Sequence, residues 1–508
     1  MPPQVAFAAW LAFLFAVLII HSKDETRSSP LLWLPSAWLA IIGSRPIGLW
    51  LYSKHSAEFS ESTLDMMVYS AFIAAALVAL ARRRQRLSHL VGGNWALALL
   101  LCYVGASVLW AETPYAALKQ YVKLIGMVAM ALIIATDDDA ATAIQVAIKR
   151  CAYLLIPASI LLIKYYPLVG LKYEPWAGGT MFVGVTTHKN SLGALCMVVG
   201  LTLAWSLLKA TRQGWSWRRP GLIVDCVMLA LTVHLLILSD SKTSLVCFMA
   251  SVGLLAAQGA QFVRRHVGAY VAVAVVVFAI LELSVGLSGQ IAIALGRDPT
   301  LTNRTTIWRE LLPLAPNVWV GAGYNSFWNV ERQSILAAAG VQATVISSHN
   351  GFLEVYLTLG LLGLSGYLLV LGTAYRNALK LLARDHEFGR FTYSSVIAIL
   401  LFNITEAGFR GLGLVHFMFL FVAIKVLPQP VALPANAVRA DRQAAARVVR
   451  GIAPASAQRS DARKQVAVGG RQPLRTVLDV RRQRNKGPRW LDQRGWPAVR
   501  HIDSPDES

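Results

Sequence analysis

Charge is scarce in this chain. Only 15% of its 508 residues are Asp, Glu, Lys or Arg, while 56% are hydrophobic; soluble domains carry about 25% charged residues. The shortage excludes an ordinary water-soluble fold, as does a mean hydropathy of +0.51. Cysteine is sparse as well. Cys102, Cys151, Cys196, Cys226 and Cys247 stand singly in or beside apolar stretches, without metal or redox spacing, and read as buried small hydrophobes. No P-loop, zinc pattern or Ser-His-Asp pattern occurs, and Gly321-x-Gly323 lacks the strand, third glycine and helix of a dinucleotide site. The first apolar run has neither a basic stretch before it nor a small-x-small cleavage site after it, so a retained helix is expected, not a signal peptide.

Apolar sequence is abundant. Runs of about 16 to 23 residues can cross a hydrocarbon core of about 30 Å. They fall near 4–20, 31–51, 64–81, 94–110, 121–136, 148–166, 191–208, 221–238, 244–263, 267–287, 350–372, 391–407 and 412–427. The predicted fold is an all-α polytopic integral membrane protein of about 12–14 transmembrane helices. Pro35 and Pro157 are tolerable inside spans because neighbouring helices satisfy the freed carbonyls. A membrane domain, 1–427, contains one large polar loop, 288–349, and precedes a tail, 428–508. A loop of about sixty residues is uncommon and usually carries function.

One set of loops holds about 18 Lys/Arg against about 10 in the longer opposite set. The positive-inside rule makes the richer set cytoplasmic. The N-terminus and the 288–349 loop are then extracytoplasmic and the C-terminus cytoplasmic. The net charge of +21 is no nucleic-acid signature, because much of it lies in the tail, which has 16 Lys/Arg against 7 Asp/Glu. With few apolar clusters that tail is expected to be disordered and to touch anionic membrane lipids.

Polar clusters sit where spans meet loops. Thr186-Thr187-His188-Lys189-Asn190-Ser191 opens a helix whose exposed N–H groups favour an anion, although a capped helix with a snorkelling lysine explains it too. Ser239-Asp240-Ser241-Lys242-Thr243-Ser244 is a short turn whose lysine and hydroxyls suit phosphate oxygens or merely cap a hairpin. The large loop gathers Arg297, Arg304, Arg309 and Arg332. Within it Thr305–Leu312 can form an amphipathic helix lying in the interface, with Trp308 and Leu312 toward lipid. Arg304 stands near a helix N-terminus, the wrong end for the dipole, so it needs an anionic partner; Asp298 is one candidate. The loop delivers His349 to a membrane helix, with Asn350 beside it and Glu354 one turn deeper. Glu406, followed by Arg410, is a second carboxylate at a span end, functional or ion-paired. Asp137-Asp138-Asp139 could hold a metal and a sugar nucleotide, or simply begin a helix at Ala140.

Ordered motifs run through roughly residues 31–410. They are Ser44-Arg45-Pro46 with Trp50, Trp110 and Pro114 before Leu118-Lys119, Tyr166-Pro167, and His188-Lys189-Asn190-x-Leu192-Gly193. Then come Ser239-x-Ser241-Lys242-Thr243, Arg304-x-x-x-Trp308, Pro316, Gly321-x-Gly323, His349-Asn350-x-x-Leu353-Glu354, Gly360-x-x-Gly363 and Asn403-x-Thr405-Glu406. This series resembles the bacterial O-antigen ligase and exopolysaccharide polymerase superfamily of polytopic membrane glycosyltransferases. Its His-Lys-Asn and Ser-Arg-Pro motifs are more similar to the exopolysaccharide polymerases. Two positions depart: Asn303 where a glycine commonly stands, and Lys242 where many relatives have arginine, which loses bidentate phosphate binding.

The resemblance implies glycans carried on undecaprenyl diphosphate at the outer face of the plasma (inner) membrane, with no cofactor and no metal. Flippase, chain-length-control and export proteins of the same pathway would be partners. His349, Arg304 and Glu354 are the expected catalytic residues. His188, Lys189, Asn190, Lys242, Arg309 and Asn350 are the expected substrate-binding residues. A ligase acting on another acceptor, a transporter of lipid-linked sugars and a membrane acyltransferase are the alternatives. A transporter would place charges at mid-span within paired repeats, and a thioester-using acyltransferase would not need the Arg/Lys cluster.

Overall fold

The computed structural model describes residues 1–24, 29–51, 63–173, 179–214, 219–285, 304–341 and 346–426. The tail, Asp298 and Arg297 lie outside the described residues. The chain runs through α1 (Pro3–Asp24), α2 (Trp33–Ile42), α3 (Ile47–Leu51), α4 (Thr63–Arg82), α5 (Arg84–Gly93), α6 (Trp95–Ala106), α7 (Pro114–Ala135), α8 (Ala140–Tyr165) and α9 (Pro167–Gly170). A small hairpin of β1 (Leu171–Tyr173) and β2 (Thr180–Phe182) pairs Leu171 with Phe182. There follow α10 (Lys189–Arg212), α11 (Pro220–Leu238), α12 (Lys242–Ala257), α13 (Gln261–Val285), α14 (Arg304–Leu311), α15 (Val330–Ala338), α16 (Gly351–Arg384), α17 (His386–Thr405) and α18 (Leu414–Ala423). Among the described residues eight helices are long and apolar enough to cross a membrane, with four shorter apolar helices beside them. The chain is an all-α polytopic membrane protein.

The bundle interior is filled by side chains from α2, α7, α8, α10, α16, α17 and α18, including Trp38, Tyr153, Trp205, Phe391 and Phe417. Trp205 stacks on Phe391 with ring centroids 4.3 Å apart. In lipid such contacts act through close packing, since burial of apolar surface gives little advantage there. Among the described residues, contacts between loops fall into two groups. At one end Asn190 and Arg304 meet Glu406, and Arg332 meets Glu112. At the other Arg83 meets Asp137 and Arg212 meets Glu387.

Several expectations need correction. The 31–51 span is interrupted: α2 ends at Ile42, and Gly43–Pro46 separate it from α3. Cys102 and Cys226 are exposed on the sides of α6 and α11, so only Cys151, Cys196 and Cys247 are buried. The predicted interfacial helix, α14, packs against protein. Its Ile307 and Leu311 are buried with Phe327, Leu336 and Leu357, and Trp308 donates to the Ser348 carbonyl at 2.8 Å; of the two residues expected toward lipid, only Leu312 is exposed.

The 350–372 span is also broken, and the break explains the loop. α16 departs from helical geometry at Gly360, whose φ is +65°. The amides of Leu361 and Leu362 donate to the carbonyls of Val318 and Trp319 at 2.8 and 3.1 Å, and the Ala322 amide donates to the Leu357 carbonyl at 3.1 Å. The large loop thus satisfies backbone groups that the break would leave unpaired, as a membrane protein requires. A Cβ on Gly360 would lie 2.2 Å from the Trp319 carbonyl carbon. Gly360→Ala is therefore expected to destabilise the protein by at least about 1–3 kcal/mol. Gly372→Ala, with open space around it, should be neutral or stabilising by up to about 1 kcal/mol. Melting of the two purified variants checks this.

Candidate active site

The site is built on Glu406, the residue just beyond the end of α17. Only 7% exposed, its carboxylate collects three side chains from distant parts of the sequence. Arg304 Nη2 donates to Oε1 at 2.7 Å, Asn190 Nδ2 donates to Oε1 at 2.8 Å, and His349 Nδ1 stands 3.3 Å from Oε2. Burial pushes the Glu406 carboxyl up. The hydrogen bond with His349 and the charge of Arg304 outweigh that and hold it below its ordinary value. As a carboxylate it accepts only, so His349 carries its proton on Nδ1, which makes Nε2 the acceptor nitrogen of the ring. Arg304 also donates to the Thr405 carbonyl. The anionic partner that its place at the start of α14 demanded is thus Glu406.

His349 is presented by a strained turn. Its φ is +49°, a left-handed conformation uncommon outside glycine. The turn is fixed by its amide donating to Ser347 Oγ at 3.2 Å and by Ser348 Oγ donating to the Asn350 carbonyl at 2.8 Å. Asn350 caps α16, its Oδ1 accepting from the amides of Phe352 and Leu353 at 3.0 Å each. Gly351 then lets the backbone lie against Asn403. Glu354 does not reach the imidazole. It is buried, accepts from Trp328 Nε1 at 2.6 Å and from the Ser348 amide at 3.0 Å, and pairs with Arg410 Nε at 3.3 Å. Its observed contacts hold the His349 turn in place. Arg410 therefore pairs with Glu354, not with Glu406.

The other candidates divide. His188 caps α10 through Nδ1 and is exposed, which puts Asn190 on Glu406 and half-buried Lys189 at the first turn. Ser241 and Ser244 sit directly against Gly193, and Thr243 Oγ1 lies 2.9 Å from Thr405 Oγ1. The Lys242 turn consequently borders the site, with Lys242 paired to Asp240 at 2.9 Å. Arg309 is not brought in. Five residues after Arg304, it lies about 140° around the helix and is exposed. The Asp137–Asp139 cluster is at the opposite end. Asp137 and Asp138 pair with Arg83 and Arg86, and Asp139 caps α8 by accepting from the Thr142 amide at 3.1 Å. Those contacts account for it without a metal.

Two contributors were not assigned roles from sequence. Glu406 was legible only as a carboxylate at a span end, since its three partners are dispersed along the chain. Arg45 was visible only within a motif. Its Nη2 donates to the carbonyls of Val169, Gly184 and Thr186 at 2.9, 2.8 and 3.0 Å, and its ring-face contact with Trp50 is 4.8 Å. It clamps the segment that leads to His188.

Residues 227–368 match the family model described as O-antigen ligase. The exopolysaccharide production protein ExoQ of Rhizobium meliloti (strain 1021) is 27% identical over 352 residues, covering 66% of this chain and 75% of that protein. The stretch matched by the family model includes Lys242, Arg304, His349 and Glu354, and both similarities support the resemblance to the O-antigen ligase and exopolysaccharide polymerase superfamily.

Proposed function

We propose that this membrane glycan polymerase or ligase is a polymerase. It joins undecaprenyl-diphosphate-linked oligosaccharide repeats into an exopolysaccharide at the outer face of the plasma membrane, by metal-independent, inverting glycosyl transfer. The observation that carries the proposal is the Glu406-centred union of an imidazole, a guanidinium and an amide at one end of the bundle. The name of the Rhizobium relative favours polymer production; the family description favours the runner-up, a ligase transferring glycan to another acceptor.

The geometry supports the following chemistry. Nε2 of His349 takes the proton of the acceptor hydroxyl as that oxygen bonds the anomeric carbon from the face opposite the carrier. The bond from that carbon to the diphosphate oxygen breaks, and its electron pair leaves with the lipid diphosphate. Glu406 stabilises the imidazolium that forms. Arg304 is partly neutralised by Glu406, and Lys242 by Asp240, so the new imidazolium adds to the field that Arg304, Lys189 and Lys242 supply at the leaving group. The site becomes one charge more positive as the diphosphate becomes one more negative, and groups fixed in a dry site are most effective there. The imidazolium then returns its proton to the departing diphosphate or to water.

Purified protein given only the lipid-linked repeat, in EDTA, should yield a ladder of lengths. Transfer only to an added acceptor would favour the ligase, and loss of the ladder in EDTA would defeat metal independence. His349→Ala at normal protein level should lower the rate about 10²- to 10⁴-fold, leaving single lipid-linked repeats to accumulate; carrier-lipid extracts measure this. Glu406→Gln keeps the shape but strips Arg304 of its counter-charge, an uncompensated burial costing about 3–5 kcal/mol. Lower melting together with lost polymer is expected, and wild-type values for both would argue against the Glu406 assembly.

A further inference from the structure

The peptide that joins Ser348 to His349 is gripped at both edges. Trp308 Nε1 donates to its carbonyl at 2.8 Å, and its amide donates to Ser347 Oγ at 3.2 Å. A peptide unit is planar, so these two bonds fix the plane from which the His349 side chain departs. The left-handed φ of +49° then sets the direction of the imidazole relative to that plane. Trp308 stands one turn after Arg304 on α14. Residues four apart share a helix face and are separated by about 6 Å along the axis. Arg304 Nη2 holds Glu406 Oε1 at 2.7 Å, and Glu406 Oε2 faces His349 Nδ1 at 3.3 Å. The contacts therefore close a ring that runs from α14 through Arg304, Glu406, His349, Ser348 and Trp308 back to α14. A single helical turn spans the imidazole and its carboxylate and sets their separation.

We propose that Trp308 is a positioning residue for His349: its indole N–H, acting through the Ser348 carbonyl, holds the imidazole against Glu406. The inference rests on the role of His349 as base proposed above. The indole ring is itself anchored, because it packs against the apolar centre of the loop formed by Ile307, Leu311 and Phe327 among others. That packing needs the ring but not its N–H. The N–H is the one polar group of the side chain, and it is directed at the residue before the base. Glu354 grips the same residue from the other side, accepting from the Ser348 amide at 3.0 Å, and leaves the carbonyl to Trp308. Without the indole donor the 348–349 peptide is free to rotate, and the imidazole loses its approach to Glu406. A misplacement of about 1 Å can cost a reacting group about 10²-fold in rate.

Two replacements in the full-length protein in nanodiscs separate the N–H from the ring. Trp308→Phe keeps an aromatic ring and removes the donor. Trp308→His gives up the larger ring and keeps a donor, because Nε2 of a histidine takes the place of the indole nitrogen relative to Cβ. In transfer from the lipid-linked repeat, kcat should fall in the order wild type, Trp308→His, Trp308→Phe. Trp308→Phe should lose about 10-fold, with kcat and kcat/KM falling together. Melting should rank the two variants the other way, Trp308→His being the less stable. A kcat order that follows melting, or Trp308→Phe at the wild-type rate, overturns the proposal. Spectra of ¹⁵N-histidine protein, with His349→Ala as the blank, read the ring without turnover. Wild type and Trp308→His should show a protonated Nδ1 at position 349, and Trp308→Phe should show it diminished in favour of Nε2. An identical ring signal in all three also overturns the proposal. If the spectra behave as expected but wild type makes no ladder from the lipid-linked repeat, the positioning role stands and the polymerase proposal falls.

Discussion

One buried carboxylate organises the site. Glu406 joins the start of α10, the start of α14 and the turn before α16, three segments that lie between residues 190 and 349 of the sequence. A charge in such a place is expensive unless it is paired and hydrogen-bonded. Here the requirement is met by an arginine, an amide and an imidazole. The same contacts that make the burial tolerable fix the tautomer of the histidine and the aim of the guanidinium. Folding and proposed catalysis therefore draw on one set of bonds, and the geometry of the base depends on the starts of α10 and α14.

The second constraint is the broken helix. A membrane helix interrupted at Gly360 exposes amides and carbonyls that lipid cannot satisfy, and the loop segment around Val318–Ala322 supplies the missing partners. Bidentate pairing of Arg332 with Glu112, one contact being 2.7 Å, and a Trp110 donation to the Val320 carbonyl at 3.2 Å fasten the same segment to the region before α7. The described part of the loop is thus an integral layer of the fold, with a small apolar centre around Leu311 and Phe327.

Much of this was legible in the chain. Long apolar runs gave the class of fold, because it rests on local composition. Arg304 announced a missing anion by standing at the wrong end of a helix, and His349 by following a polar loop into an apolar span. What stayed hidden was long-range. Nothing local distinguishes Glu406, the hub, from Glu354, the brace of the neighbouring turn. Arg309 reads as equivalent to Arg304 until α14 turns it away. The break at Gly360 was invisible because an apolar run looks continuous whether or not another segment completes its hydrogen bonds.

The left-handed backbone at His349 bears on how any substitution there is interpreted. Most side chains resist that conformation, β-branched ones most of all, whereas asparagine tolerates it. Exchanging the histidine for valine would disturb the peptide path as well as delete the imidazole, and the two losses would be read as one. Asparagine preserves the path, so the difference between the two replacements separates what the ring does from what the bend does.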